Sequence, residues 1–349
     1  MNSSYSVSLI SLVLVSCILV TSAQPTPPLV GGLSFDFHRT NCPSLETIIR
    51  DYLREIFSSD FGMAAGLLRI HFHDCFVQGC DGSLLLAGSA SGPGEQEAPP
   101  NLTLRPRTFV IINELRNRIH RACGSIVSCS DIVALCARDA VFLSGGPDYR
   151  VPLGRRDGVN LATRDDTLAN LPFFDSPISE LIKFFADKGL NDPTDLVALS
   201  GGHTIGRSTC SSFVGRLYPP NQDPTIDPIF AESLRRICPS PTASGFSPLD
   251  IRTPNVFDNQ YFVALQNGRG ILNSDQRLFT DPTTRPIVNS FANNQTLFFE
   301  RYVFSILKMG MLNVLTGTQG QIRTDCSRRN TVTTHLATGV DQQGETAAF

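Results

Sequence analysis

The sequence predicts a mainly α fold, and three observations carry that expectation. Apolar residues recur at helical spacing along most of the chain, a capping residue followed by proline repeatedly marks a helix start, and the strict alternation of a half-buried strand is scarce. With 349 residues, 41% of them hydrophobic, the chain can bury a large core, and no low-complexity linker divides it. The formal net charge of -3 argues against a nucleic-acid binder, whose phosphate contacts call for a basic excess.

Taken in order, residues 8–20 (SLISLVLVSCILV) form an apolar run too short to span a bilayer, and small residues follow it at Val20-Thr21-Ser22-Ala23. This reads as a secretory signal over residues 1–23, cut near Ala23, although no Lys or Arg precedes the run. After Pro43, Leu45, Ile48, Ile49, Tyr52, Leu53 and Ile56 make one helical stripe. The stretch from Leu67 to Leu86 opens as a helix, and a connection rich in proline and glycine covers Ala87 to Pro106. Helices follow over Phe109 to Ile119 and Ser130 to Leu143, the second stopped by Gly145-Gly146-Pro147. Ser176-Pro177, Asp192-Pro193 and Asp227-Pro228 each set an N-cap residue before a proline suited to the first helical position, where no N–H is missed. Gly189, Gly201-Gly202 and Gly268 read as stops, and Pro239 to Phe246 as a second irregular connection. Helices over Phe257 to Gln266 and Thr296 to Met309 close the pattern, with Leu272 to Gln276 between them read as a polar stop. Beyond Cys326, residues 327–349 are a polar tail with too little apolar material for a core.

The chemistry concentrates in LLRIHFHDCFVQGCDGSLLL, residues 67–86. On a helix, Arg69 and His73 stand four apart and share a face, while His71 and Asp74 point elsewhere. A base and a fixed cation side by side suit peroxide cleavage: the base moves a proton between the two oxygens and the cation stabilises the developing charge. His-x-His followed by Cys is also the composition of a zinc site. A second histidine, His203, ends the short helix begun at Asp192, behind two glycines that let backbone approach something flat. If Asp275 accepts its Nδ1 proton, Nε2 becomes electron-rich, as in a metal-bound imidazole.

Two oxygen-rich sets suit calcium better than zinc. Asp74, Asp81 and Ser83 surround a glycine-containing turn, and Thr204 gathers with Asp250, Thr253 and Asp258. Of ten cysteines, Cys17 leaves with the signal, and export favours disulfides among the rest. The odd count leaves one free thiol, best placed at Cys136 in an apolar helix, with the pairing of the other eight open.

Together, RIHFHDCFVQGCDGSLLL, VSCSDIVALCARDAV, VPLGRRDG, DLVALSGGHTIG, DIRTPNVFDNQYF and ILNSDQRLF closely resemble the secreted plant haem peroxidases, class III, from about Leu33 to Cys326. The resemblance implies one haem peroxidase domain over residues 24–326: two helical lobes enclosing b-type haem, with a minor β element. It implies a monomeric enzyme that reduces hydrogen peroxide and oxidises small phenolic donors one electron at a time. Arg69 and His73 would be the distal pair, Phe72 the pocket wall, and Glu95 and Asn101 the relay that orients His73. His203 would be the axial iron ligand, hydrogen-bonded to Asp275, and Pro172 would stand at the substrate entrance. One calcium would take Asp74, Val77, Gly79, Asp81 and Ser83, and a second Thr204, Asp250, Thr253, Val256 and Asp258. The implied disulfides are Cys42 with Cys123, Cys75 with Cys80, Cys129 with Cys326, and Cys210 with Cys238, which leaves Cys136 free. Asn101 opens a glycosylation sequon but is expected unmodified beside the distal histidine, so Asn294 is the better acceptor. The tail reads as either a vacuolar sorting extension or a surface appendage.

The chain departs from the family pattern at several positions. Gly62 and Gly66 stand where related enzymes often carry Arg and Ser near the haem propionates, which leaves anchoring to another group such as Arg207. Leu249 replaces the usual Phe beside the proximal histidine, Asn101 to Phe109 is one residue longer than the commonest spacing, and Leu171 to Phe174 lacks extra prolines. Two rival readings are a secreted zinc hydrolase using His71, His73 and a thiolate, and a haem-binding wall or vacuolar protein that has lost catalysis.

Overall fold

The computed structural model describes residues 26–88 and 94–330. The signal segment 1–23 and most of the tail, residues 331–349, lie outside the described residues. Twelve α-helices dominate the described residues, and one two-stranded sheet pairs β1 (Arg207–Thr209) with β2 (Phe246–Pro248) antiparallel, so the fold is mainly α with a minor β element, as the resemblance implies. The first group of helices is α1 (Leu45–Ser59), α2 (Gly62–Val77), α3 (Pro106–Cys123) and α4 (Cys129–Leu143), in which α2 and α1 both pack on α4. The second group holds α6 (Ile178–Asp187), α7 (Pro193–Ser200), α9 (Gln260–Gln266), α10 (Asn273–Thr280) and α11 (Arg285–Asn293). The last helix, α12 (Gln295–Met309), touches both α2 and α7 and so ties the two groups together. A smaller core beside the sheet forms around Phe213, Leu217, Phe230 and Leu234 of α8 (Pro228–Ile237).

The capping chemistry works largely as read. Asp192 accepts from the Thr194 N–H and Asp227 from the Phe230 N–H, which satisfies donors that the first helical turn leaves free. Ser128 does the same for α4, from the Asp131 N–H at 3.0 Å. The Ser176-Pro177 reading shifts by one residue: Pro177 itself is the N-cap of α6, and no side chain caps that helix. Leu272 to Gln276 is not a stop but the first turn of α10, fixed by contacts the sequence does not show. There the Ser274 N–H donates to the Phe174 carbonyl, and Gln276 bonds the Gly270 N–H and the Leu265 carbonyl. Besides α10, two further helices went unread, α5 (Arg164–Asn170), opened by a Thr163–Asp166 capping box, and α11. The flat partner of Gly201 is the chain's own: a Cβ there would collide with the Phe298 ring and meet Phe262 at 2.9 Å.

All eight paired cysteines form the disulfides expected, Cys42–Cys123, Cys75–Cys80, Cys129–Cys326 and Cys210–Cys238, and Cys136 is free and buried. The Cys75–Cys80 bond removes the thiolates that the zinc reading needs, although His71 Nδ1 lies 3.5 Å from the Cys75 sulfur. No helix among the described residues is long and apolar enough to cross a membrane.

Candidate active site

Helix α2 carries one wall of the site. Because Arg69 and His73 are one turn apart, the Arg69 Nε–H reaches His73 Nε2 at 3.1 Å. His73 Nδ1 lies 2.5 Å from Asn101 Oδ1, an atom that can only accept, so the ring proton sits on Nδ1 and Nε2 keeps its lone pair. Asn101 is itself fixed, its Nδ2 donating to the backbone carbonyl of Glu95 at 2.8 Å. The link to Glu95 thus runs through its main chain, and its carboxylate does not touch Asn101. Burial, and after it the Arg69 charge, pushes the His73 pKa down to about 3, so the imidazole is neutral. Burial lowers Arg69 only to about 10, which leaves the guanidinium charged. Phe72 sets its ring edge-on to His73, 5.3 Å between centroids.

The loop with the extra residue holds Arg69, which no sequence signal foretold. Arg69 Nη2 donates to the Pro100 carbonyl at 3.0 Å and to Thr103 Oγ1 at 2.9 Å, and Nη1 donates to the Thr103 carbonyl at 3.3 Å. Arg105 fills the space beside Gly62, where a Cβ would strike its guanidinium, and Thr108 fills the space beside Gly66, where a Cβ would meet its methyl at 2.8 Å; Arg105 pairs with Asp60 at 2.9 Å. Arg207 lies over the Phe246 ring, 3.9 Å from its centroid.

The second wall comes from the turn after α7. His203 Nδ1 donates to Asp275 Oδ1 at 2.8 Å, and α10 presents that carboxylate almost fully buried. The His203 side chain is 39% exposed, and no described residue bonds its Nε2. Burial opposes its charged form, but the Asp275 carboxylate outweighs burial and raises its pKa. The Arg69 charge opposes the charged form of this imidazole as a lesser effect. A histidine whose Nδ1 is tied to a buried carboxylate and whose Nε2 has no bond to a described residue is suited to hold a haem iron. Pro172 is half-buried in the segment whose Phe174 carbonyl holds Ser274, the neighbour of Asp275.

Both oxygen clusters close up. Asp74 takes the Gly82 and Leu84 N–H groups and Asp81 the Ser83 N–H, while the Gly79 carbonyl accepts from the Asp81 N–H. Ser83 Oγ and both Glu95 carboxylate oxygens are buried without a hydrogen-bond partner among the described residues. Burial first, and then the Asp81 and Glu95 charges, lifts Asp74 well above the usual carboxylate range. Three buried acids with orphaned oxygens beside them fit a cation. Around Thr204 the fit is geometric: its single hydroxyl lies 3.3 Å from Asp250 Oδ2, from the Val256 carbonyl and from Asp258 Oδ1 alike. Thr253 Oγ1 joins them, 3.2 Å from Asp250 and 3.0 Å from Asp258. A hydroxyl has one proton and can serve only one of the three acceptors at a time, and an oxygen-only set of this kind fits a hard cation.

The sequence matches its relatives over almost the same range as this architecture. A family model described as Peroxidase matches residues 49–294. The chain is 58% identical to Peroxidase 12 of Arabidopsis thaliana over 306 residues, 87% of this chain and 84% of the relative. It is 55% identical to Cationic peroxidase SPC4 of Sorghum bicolor, over 89% of this chain and 85% of the relative, and 43% identical to Peroxidase 66 of Zea mays, over 93% and 96%. With the fold, the four disulfides and the facing Arg69–His73 and His203–Asp275 pairs, these matches show that the chain belongs to the peroxidase family, among the class III plant haem peroxidases.

Proposed function

We infer that this chain works as a haem enzyme, since as a member of that family it is an oxidoreductase that acts on hydrogen peroxide and the family implies haem. We propose that Arg69 and His73 are its catalytic residues and that His203 holds the iron. The observation that carries this reading is the tautomer: Asn101 keeps the proton on Nδ1, so His73 Nε2 faces Arg69 as a free base. Held by His203, haem would supply the redox-active iron and the oxidising equivalents that the reaction needs. Peroxide entry exchanges the Arg69 to His73 bond for bonds to peroxide. His73 Nε2 takes the first peroxide proton and hands it to the departing oxygen, whose charge Arg69 stabilises. Asn101 is the positioning residue for His73, and Phe72 walls the pocket. Asp275 keeps His203 turned to the iron and rich in electrons.

The calcium sites belong to this proposal: Asp74, Val77, Gly79, Asp81 and Ser83 for one ion, and Thr204, Asp250, Thr253, Val256 and Asp258 for the other. Small phenols entering near Pro172 are the proposed donors, with the enzyme a monomer. We read residues 1–23 as the export signal and residues 24–326 as the enzyme. Asn294 is exposed and is the proposed glycan acceptor, since its Oδ1 caps α12 through the Leu297 N–H while Asn101 is buried. The vacuolar role of the tail stays the lesser reading beside simple secretion.

The test is rapid-mixing kinetics. His73→Ala should retain haem and slow the peroxide step by roughly 10² to 10⁴, the usual worth of a positioned acid-base group. An unchanged peroxide rate would refute the distal assignment.

A further inference from the structure

The Asp275 carboxylate serves a second donor besides His203. Tyr261, on α9, donates its hydroxyl to Asp275 Oδ1 at 2.8 Å, the same oxygen that accepts from His203 Nδ1 at the same distance. Asp275 Oδ2 is buried and has no hydrogen-bond partner among the described residues. Tyr261 is 1% exposed, and its ring meets the His203 ring edge-on at 6.1 Å and that of Phe262 at 5.0 Å. Tyr261 lies in the segment Asp258-Asn259-Gln260-Tyr261-Phe262, three residues after Asp258.

We propose that Tyr261 is a positioning residue that sets the electron density of the axial histidine, by drawing part of the Asp275 charge away from the His203 N–H. The inference rests on His203 being the iron ligand and goes beyond that reading. A carboxylate oxygen shared by two donors gives each a weaker bond than it would give one alone, and in a buried site nothing else offsets the difference. With the phenol in place, Asp275 pulls less on the Nδ1 proton, and His203 is less imidazolate-like. The phenol acts only as a donor, because burial pushes its ionisation well above the ordinary tyrosine value. It also fixes which carboxylate oxygen faces His203.

Tyr261→Phe removes one oxygen and keeps the ring. In the ferrous haem-loaded protein the iron–histidine stretching band, read by resonance Raman, should move to higher frequency, and the ferric/ferrous midpoint potential should shift negative. Tyr302→Phe serves as control: Tyr302 is equally buried but makes no hydrogen bond to Asp275 among the described residues, so neither readout should move. In an Asp275→Ala background, adding Tyr261→Phe should produce no further shift, which is the signature of action through the carboxylate. Unmoved readouts in Tyr261→Phe, a positive shift of potential, or the same shift in the Asp275→Ala background would each overturn the inference. Absence of an iron–histidine band from the unsubstituted protein would instead overturn the axial assignment, and the inference with it.

Discussion

The distal pair was legible because its geometry is local. Four residues along one helix put Arg69 beside His73 whatever the rest of the chain does. Asn101, 28 residues from His73, was legible only by resemblance, and Asp275, 72 residues from His203, only as a conditional pairing read from the residues. Thr103 and Tyr261 stayed hidden, since each acts through a contact that no local spacing records. The environment of His73 has a consequence for pH. Its pKa is held at about 3, well below that of a free imidazole, and Arg69 stays protonated, so both are in their working forms across ordinary pH. The peroxide step should therefore hold level between about pH 8 and pH 5, because a base fails only as it protonates. Rapid-mixing rates that halve near the ordinary imidazole value would show that His73 is more solvated than the structure has it.

At the scale of elements, starts were read better than interiors. A cap and a proline act on the backbone next to them, so Asp192-Pro193 and Asp227-Pro228 opened α7 and α8 as expected. Helix α10 was missed because its first turn is held by Phe174, Gly270 and Leu265, all distant in sequence or outside its own turn. The same segment is clamped by Asp175, which bonds Asn273 and whose carbonyl accepts from Arg277, two residues to either side of Asp275. The motif VPLGRRDG likewise proves structural: Arg155 pairs with Asp131 at 2.9 Å and bonds the Gly310 carbonyl, with both charges buried. Ser128 caps the helix that carries Asp131 and is itself buried. Ser128→Ala should cost about 1 kcal/mol, seen as a lower denaturant midpoint with an unchanged slope. No loss of stability would mean that the cap is redundant with the packing of α4.

Across the whole molecule, the two walls of the cleft are each tied to an oxygen cluster by a single peptide bond, Asp74 after His73 and Thr204 after His203. Strong chelation should therefore lower the thermal midpoint and change the haem spectrum together, because an emptied cluster leaves buried carboxylates repelling one another. Added calcium should restore both, and magnesium should do so poorly, since it gives up water reluctantly. A midpoint and spectrum indifferent to exhaustive chelation would make these clusters ordinary turns and caps. The central claim, that Arg69 and His73 face a haem held by His203 and cleave peroxide there, is tested most directly by the absorbance spectrum of the purified protein before and after one equivalent of hydrogen peroxide. A Soret band that shifts on peroxide addition and returns when a phenol is added is the expected result, whereas no Soret band, or one that peroxide leaves unmoved, would contradict the account.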